Sequence, residues 1–213
     1  LSLKAVQSVA ERYFGQKEAT KRGFQRMKPA EVEPFEKMVT KHTHQTHCIV
    51  GARAYDIHAE KRLPLALLIN ILGGPSANSR LNILLREKNG LSYNIEANYT
   101  PYNDCGMVAM YFSTDHHNLD LCRELIDKEL RELRTTRLSS RRMAMTKRQF
   151  LAQMAISMEN NEGYMLGAGK SFLVHDEIDT LEEVYRKVSA VTAEQIMEVA
   201  EEIFSRTSTL IYQ

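Results

Sequence analysis

Two neighbouring β-strand patterns joined by a short polar turn constrain the fold most. Apolar residues alternate with polar ones from Tyr93 to Tyr99, which is the period of a strand with one buried face. The segment Met107–Phe112 is apolar on both faces, as expected of a central strand. Pro101, Asn103 and Asp104 lie between the two segments and are typical of a hairpin turn. The chain is therefore predicted to contain an antiparallel sheet.

Helical patterns lie on both sides of this hairpin, and two further strand patterns lie near 42–55 and 207–212. We predict helices in segments with apolar residues at helical spacing or with a capping box at their start: Leu3–Phe14, Leu63–Leu72, a short helix closed by Asn89-Gly90, His117–Leu133, Ser140–Met158, Glu162–Val174, and helices beginning after Thr180 and Thr192. The stretch 16–41 has two prolines and mixed charges and is interpreted as an extended connector. Helices and strands do not alternate strictly. The predicted fold class is α+β, an antiparallel sheet with helices packed on one face.

Charge and composition exclude several classes of protein. The 213 residues include 28 Lys and Arg against 27 Asp and Glu, so no overall field attracts nucleic acid or an anionic membrane. The longest apolar run, Leu63–Leu72, is broken by Pro64 and Asn70 and is far shorter than the ~18 residues of a membrane helix. Three cysteines without metal-type spacing fit a reducing compartment. We expect no nucleic-acid or membrane partner and a cytoplasmic location.

A histidine cluster invites a metal-site interpretation, which the spacing disfavours. In an extended strand His42 and His44 share a face with Cys48, whereas His47 points to the other face. Three ligands would have to converge from both faces of the strand. The sequence also lacks both helical zinc-protease motifs, His-Glu-x-x-His and His-x-x-Glu-His. We therefore predict no metal ligands in this chain.

The stretch between Glu132 and Glu159 is basic and rich in methionine. Six cations occur in it without a carboxylate: Arg134, Arg137, Arg141, Arg142, Lys147 and Arg148. A nucleic-acid patch needs interleaved aromatic residues, and Phe150 is the nearest one. A solvated helix pair is favoured. Met154 and Met158, four residues apart, are interpreted as core filling rather than as a binding groove.

The spacing of Arg86 and Tyr93 suggests a site for a carbonyl oxygen. Arg86 is predicted in the last turn of the short helix that Asn78 or Ser79 can cap, and Tyr93 at the start of the strand that follows. The two side chains, seven residues apart, both donate hydrogen bonds. Such a pair suits a carbonyl oxygen that gains negative charge. The alternative is that Arg86 faces solvent beside Glu87 while Tyr93 packs in the core, and spacing leaves both open.

The segment around this pair resembles the signature of the insulinase/pitrilysin family of zinc metallopeptidases, and specifically the second, C-terminal half of a family member. The residues that carry the resemblance are Gly73-Gly74, Ser79-Arg80-Leu81, Leu85-Arg86-Glu87-Lys88 and Gly90-Leu91-Ser92-Tyr93. The opening helix, the strand 45–51 and the stretch from Val191 to Phe204 extend the similarity over nearly the whole chain.

The resemblance implies a two-half enzyme in which this chain is the half without zinc. The N-terminal half, on the same or a separate polypeptide, is expected to bind zinc, and no residue of this chain is expected to activate water. Arg86 and Tyr93 match the family pair that binds the substrate carbonyl and stabilises the oxyanion. The substrate is expected to be a peptide or unfolded polypeptide, and a homo-oligomer is possible. The alternative is a non-catalytic family member that acts as an assembly or peptide-binding subunit.

The chain departs from the family pattern at a few points. Pro75, Ala77 and Asn78 differ from the usual residues after the glycines, and none of them touches the pair. The family half also begins with a strand that this chain lacks. We therefore interpret residues 1–213 as the C-terminal domain without its first strand, which would leave a sheet edge open.

Overall fold

The computed structural model describes residues 2–18, 23, 27 and 29–213. Its one sheet contains five strands: β1 (Glu36–Val39), β2 (Thr46–Ala54), β3 (Ile95–Pro101), β4 (Gly106–Thr114) and β5 (Ser208–Tyr212). The strand order is β1-β5-β2-β4-β3, and every pair is antiparallel except β1 with β5. The predicted α+β class is confirmed. The prediction that residues 16–41 form an extended connector is wrong at β1. The four residues of β1 show no apolar alternation and form a strand because they pair with β5.

The described part of the chain forms seven α-helices: α1 (Leu3–Phe14), α2 (Arg62–Gly73), α3 (Leu119–Thr135), α4 (Ser140–Met158), α5 (Asn161–His175), α6 (Leu181–Ala190) and α7 (Ala193–Phe204). A π-helix spans Asn82–Lys88, and a short 3₁₀ turn, His116–Asn118, leads into α3. Both predicted capping boxes are confirmed: Thr180 and Thr192 each accept a bond from a backbone N–H three residues on, and Glu183 and Gln195 complete the reciprocal bonds.

The predicted hairpin is confirmed, and it makes β4 an interior strand, paired on both sides. β4 pairs with β3 from Ile95 opposite Phe112 to Pro101 opposite Gly106, and with β2 on its other side. In the turn, the Tyr102 N–H donates to the carbonyl of Cys105 at 2.8 Å. Strand β4 is central, as its continuous apolar character predicts.

The core lies between the helices and one face of the sheet. Val50, Val108 and Phe112 point into it from three sheet positions, each no more than 5% exposed. Leu68 of α2 and Val199 of α7 are fully buried against the same cluster. Fully burying side chains of this size contributes about 1.5–3 kcal/mol each.

The opposite face of the sheet is not covered by helices in the described structure. It presents four partly exposed side chains, which we call the open face: Ile49, Met107, Leu210 and Tyr212. Their neighbours Val50, Val108 and Ile211 are buried, which is the alternation of a sheet with one packed side. The prediction that helices pack on one face is confirmed.

Helix α1 forms as predicted but buries no side chain among the described residues. The Ser2 hydroxyl accepts a hydrogen bond from the Ala5 N–H and caps its start. Leu3, Val6 and Tyr13 of its apolar face are each more than half exposed. Among the described residues, no helix is long and apolar enough to cross a membrane.

Candidate functional site

Helix α2 ends where it lies close to strand β3. A Cβ on Gly73 would lie 2.7 Å from the Cβ of Ala97, so α2 approaches β3 closely only because this residue is glycine. The Gly74 N–H then donates to the carbonyl of Asn70 at 3.2 Å and closes the helix. The predicted stop at Gly73-Gly74 is confirmed, and the packing role of Gly73 is an addition to it.

The short helix that follows is wound as a π-helix over Asn82–Lys88. Leu81 and Leu85 anchor it in the core, each no more than 1% exposed. Ser79 lies directly before the helical segment, and its carbonyl accepts from the Ile83 N–H at 3.0 Å, but the expected side-chain cap is wrong. Ser79 Oγ instead accepts from the side-chain amide of Asn82 at 2.9 Å, and the amide of Asn78 donates to Gln149. A π-helix within a helical segment is often found at a functional site.

Gly90 reverses the chain at the end of this helix. Its φ of +62° lies in the left-handed region, which favours glycine. The Gly90 N–H donates to the carbonyl of Arg86 at 3.0 Å, and the Leu91 N–H to the carbonyl of Leu85 at 2.7 Å. The backbone around Arg86 is therefore fixed by the turn that follows it.

The loop between this turn and β3 is attached to the end of β4. Thr114 Oγ1 donates to the carbonyl of Leu91 at 2.7 Å, and Ser92 Oγ to the carbonyl of Ser113 at 2.6 Å. The Ser113 N–H donates to the carbonyl of Asn94 at 3.2 Å. Ser92, Ser113 and Thr114 are buried, so these bonds are shielded from water.

Both predicted site residues project from this fixed segment. Arg86 is about half exposed, at 51%, and its Nε lies 3.7 Å from Glu87 Oε1. Tyr93 is 80% exposed and lies two residues ahead of β3. The alternative in which Tyr93 packs in the core is therefore wrong, whereas the contact of Arg86 with Glu87 is present. A partner molecule can reach both side chains.

The histidine cluster does not assemble into a metal site in the described structure. His47 Nδ1 lies 2.7 Å from the Tyr111 hydroxyl, on the opposite face of β2 from Cys48. His42 and His44 precede β2, so the expectation that they share a strand face with Cys48 is wrong. Burial raises the pKa of the Cys48 thiol to about 12. Among the described residues, no three metal-ligating side chains come together.

The basic run is only partly neutralised. Arg134 binds Glu201 through two bonds of 2.7 and 3.0 Å, and Arg137 lies 3.0 Å from Glu194. Hydrogen bonding from Arg134 lowers the pKa of Glu201. Lys147 donates to the carbonyl of Ser189 at 2.6 Å. Glu194 and Glu201 of α7 thus neutralise part of the positive charge of the basic run.

The methionines are less buried than predicted. Met143 is 7% exposed, but Met145 is 56% exposed, and Met154 and Met158 are only half-buried. The core-filling interpretation is therefore wrong in part, because α4 packs mainly against helices α2, α5 and α6 rather than against the sheet.

Comparison with known proteins gives the class. The family model described as "Peptidase M16 inactive domain" matches residues 1–150. A protein named "Uncharacterized zinc protease YmxG" from Bacillus subtilis is 29% identical over 94% of this chain and 48% of its own length. The solved structure titled as a protease from Helicobacter pylori aligns with all of this chain and 53% of its own (TM-score 0.86, 15% identity). The peptidase M16 inactive domain from Pseudomonas fluorescens gives a TM-score of 0.85 at 19% identity, over all of this chain and 51% of its own.

The chain therefore belongs to the family of peptidase M16 inactive domains, as a C-terminal half of the insulinase type. The resemblance noted in the sequence is confirmed. The chain spans about half the length of the relatives that it matches.

Proposed function

We propose that this chain is the zinc-free half of a metalloendopeptidase and that Arg86 and Tyr93 bind the carbonyl oxygen of a polypeptide substrate. The observation that carries the proposal is the exposure of both side chains on one fixed segment. Tyr93 is 80% exposed, although Ile95 at the start of β3 is buried, so the Tyr93 side chain is accessible to a partner. The family match and the zinc-protease names of the relatives support the reaction class.

The two residues offer complementary chemistry to a peptide group. The Arg86 guanidinium stays charged and presents several N–H donors, and the Tyr93 phenol donates one O–H. Both donors stabilise a carbonyl oxygen more strongly as it gains negative charge. Their backbone is held by Gly90 and by the loop bonds to β4, so little reorganisation is needed when a substrate binds.

The residues that the structure describes do not fit a zinc site. Cys48 lies in the core with a raised thiol pKa, and His47 is engaged by Tyr111. Within the described residues no third ligand joins them. We therefore propose that the N-terminal half binds the zinc and activates water, and that this chain alone hydrolyses no peptide.

The open face of the sheet fits the same role. Ile49, Met107, Leu210 and Tyr212 give it partly exposed apolar side chains. Apolar side chains on an uncovered sheet suit an extended or unfolded polypeptide, and exposed apolar patches often mark binding surfaces. We propose that this face forms part of the wall that encloses the substrate.

Substitutions of the pair in the intact protein test the proposal. Arg86→Ala and Tyr93→Phe should each lower kcat/KM for a peptide substrate by about 10²-fold or more, which is the usual loss for one oxyanion donor. Metal analysis should show unchanged zinc content, because neither residue binds the metal.

Matched controls separate this role from a general loss of charge or of an aromatic residue. Lys88→Ala removes an exposed cation two residues from Arg86, and Tyr102→Phe alters an exposed tyrosine at the far end of β3. Both controls should retain full activity. Wild-type rates in the Arg86 and Tyr93 variants would refute the proposed roles.

A further inference from the structure

A second candidate site lies on the helical side of the molecule, and neither Arg86 nor Tyr93 lines it. A cavity of about 470 Å³ opens between the end of α2, the segment 78–83 and the first half of α4. This volume is in the range of small-ligand pockets. The lining residues that bear on its chemistry are Asn70, Arg80, Ile83, Arg141, Arg142 and Met145.

The cavity wall carries unpaired positive charge. Arg141 and Arg142 are exposed and have no ion pair among the described residues, unlike Arg134 and Arg137 of the same basic run. In the described structure, no Asp or Glu lines the cavity. Two guanidinium groups on one wall are suited to a carboxylate, which they bind with charge-assisted hydrogen bonds.

Arg80 adds a buried donor to this wall. Its side chain is 13% exposed, and Nη1 binds Glu129 at 2.5 Å and Glu132 at 3.4 Å. Its Nε is buried and has no hydrogen-bond partner in the described structure. An unsatisfied buried donor costs free energy that a bound acceptor would recover.

Asn70 adds a buried acceptor. Its Nδ2 donates to Gln153 Oε1 at 2.7 Å, while its Oδ1 is buried without a partner among the described residues. Asn70 Oδ1 can accept a hydrogen bond, and a peptide N–H can donate one, whereas an ionised carboxylate has no donor. Ile83 and Met145 provide apolar wall beside these polar groups.

We propose that this cavity binds a peptide segment that carries carboxylate side chains. Arg141 and Arg142 bind the carboxylates, and Asn70 accepts a hydrogen bond from a peptide N–H. A nucleic acid fits less well, because no aromatic residue for base stacking lines the cavity in the described chain. This proposal is independent of the proposed function, because neither Arg86 nor Tyr93 lines the cavity.

A direct binding measurement with the purified 213-residue chain tests the proposal. The probe is a fluorescent hexapeptide of alternating glutamate and leucine, and its control is the same peptide with glutamine in place of glutamate. We expect the glutamate peptide to bind at least about tenfold more tightly, because charge-assisted bonds are roughly twice as strong as neutral ones. Arg141→Gln combined with Arg142→Gln should remove this difference.

Arg148→Gln is the matched control, because Arg148 is an exposed arginine of α4 that does not line the cavity. It should bind the glutamate peptide as the wild type does. Unchanged thermal unfolding would show that each variant is folded. Equal binding of the two peptides, an equal loss in Arg148→Gln, or tighter binding of a ten-nucleotide single-stranded RNA that depends on Arg141 and Arg142 would overturn the proposal.

Discussion

At the scale of single residues, one carboxylate of α7 holds the chain segment that leads into α2. Glu202 accepts hydrogen bonds from Lys61 and from the Tyr55 hydroxyl. Lys61 also donates to Glu198 at 2.8 Å. The bond from Lys61, followed by that from Tyr55, lowers the pKa of Glu202, and the same network raises the pKa of Lys61. The pH dependence of folding should therefore carry a contribution from Glu202.

The sign of that contribution follows from the lowered pKa. A carboxyl whose pKa is lower in the folded state stabilises the fold above its ordinary pKa of about 4.5 and loses this effect as the pH falls. Glu202→Gln should therefore be less stable than the wild type at pH 6, with the difference shrinking at pH 3. Urea unfolding at both pH values measures this.

Glu159→Gln serves as the control, because Glu159 is an exposed carboxyl at the end of α4 without a hydrogen bond or ion pair from its side chain among the described residues. It should show little difference from the wild type at either pH. A Glu202→Gln difference that stays constant from pH 6 to pH 3 would contradict the role given to the network.

Tyr93 shows where sequence patterns stop being informative for a single residue. The alternation predicts Ile95 and Ala97 as buried, and both are, at 8% and 5% exposure. Tyr93 has the same parity but precedes the strand, because Ser92 and Asn94 use their polar groups to bind the end of β4. A strand pattern does not reveal where pairing begins, so the exposure of Tyr93 needed the structure.

At the scale of elements, the contact between α2 and β3 depends on one glycine. Gly73→Ala would place a methyl group 2.7 Å from the Cβ and 2.8 Å from the N of Ala97. Helix and strand would have to separate, and overpacking of this kind costs about 1–3 kcal/mol of unfolding free energy. Denaturant unfolding of the variant measures the loss.

Gly167→Ala is the matched control, since a Cβ at Gly167 in α5 meets nothing within 4 Å. Alanine favours the helix over glycine by about 0.5–1 kcal/mol, so this variant should equal or exceed the wild type in stability. If Gly73→Ala is as stable as the wild type, α2 and β3 are not packed as closely at Gly73 and Ala97 as described.

Elements with strong local signals were predictable, and elements that depend on distant partners were not. Helix α4 and both capping boxes follow from neighbouring residues, and the structure confirms them. Strand β1 exists only through pairing with β5, about 170 residues later, so no local pattern indicates it. The π-type winding of Asn82–Lys88 is likewise absent from the apolar spacing, which fits a helix of either kind.

The candidate sites divide in the same way. The pair Arg86 and Tyr93 could be named from sequence because both belong to one short segment. The cavity on the helical side could not, because Asn70, Arg80 and Arg141 come from three separate elements. The sequence indicates the basic run, but only the structure shows which of its cations are paired.

At the scale of the whole molecule, the domain has one packed side and one open side. Helices cover one face of the sheet, while the open face and the apolar side of α1 stay exposed in the described structure. The chain also spans about half the length of its relatives. We therefore place the proposed substrate contact at the end of the sheet where β3 begins, because Tyr93 is exposed there.

Cross-linking of bound polypeptide in the intact protein tests this contact most directly. Tyr93→p-benzoylphenylalanine places a photoreactive group at the proposed site, and Tyr102→p-benzoylphenylalanine places it at the other end of β3. Strand β3 lies between the two positions and is roughly 20 Å long, since each strand residue adds about 3.3 Å. With zinc removed to prevent cleavage, we expect irradiation to link an unfolded polypeptide substrate to position 93 and far less to position 102. Equal labelling at both positions, or none at position 93, would contradict the claim that this half holds the substrate through the segment of Arg86 and Tyr93.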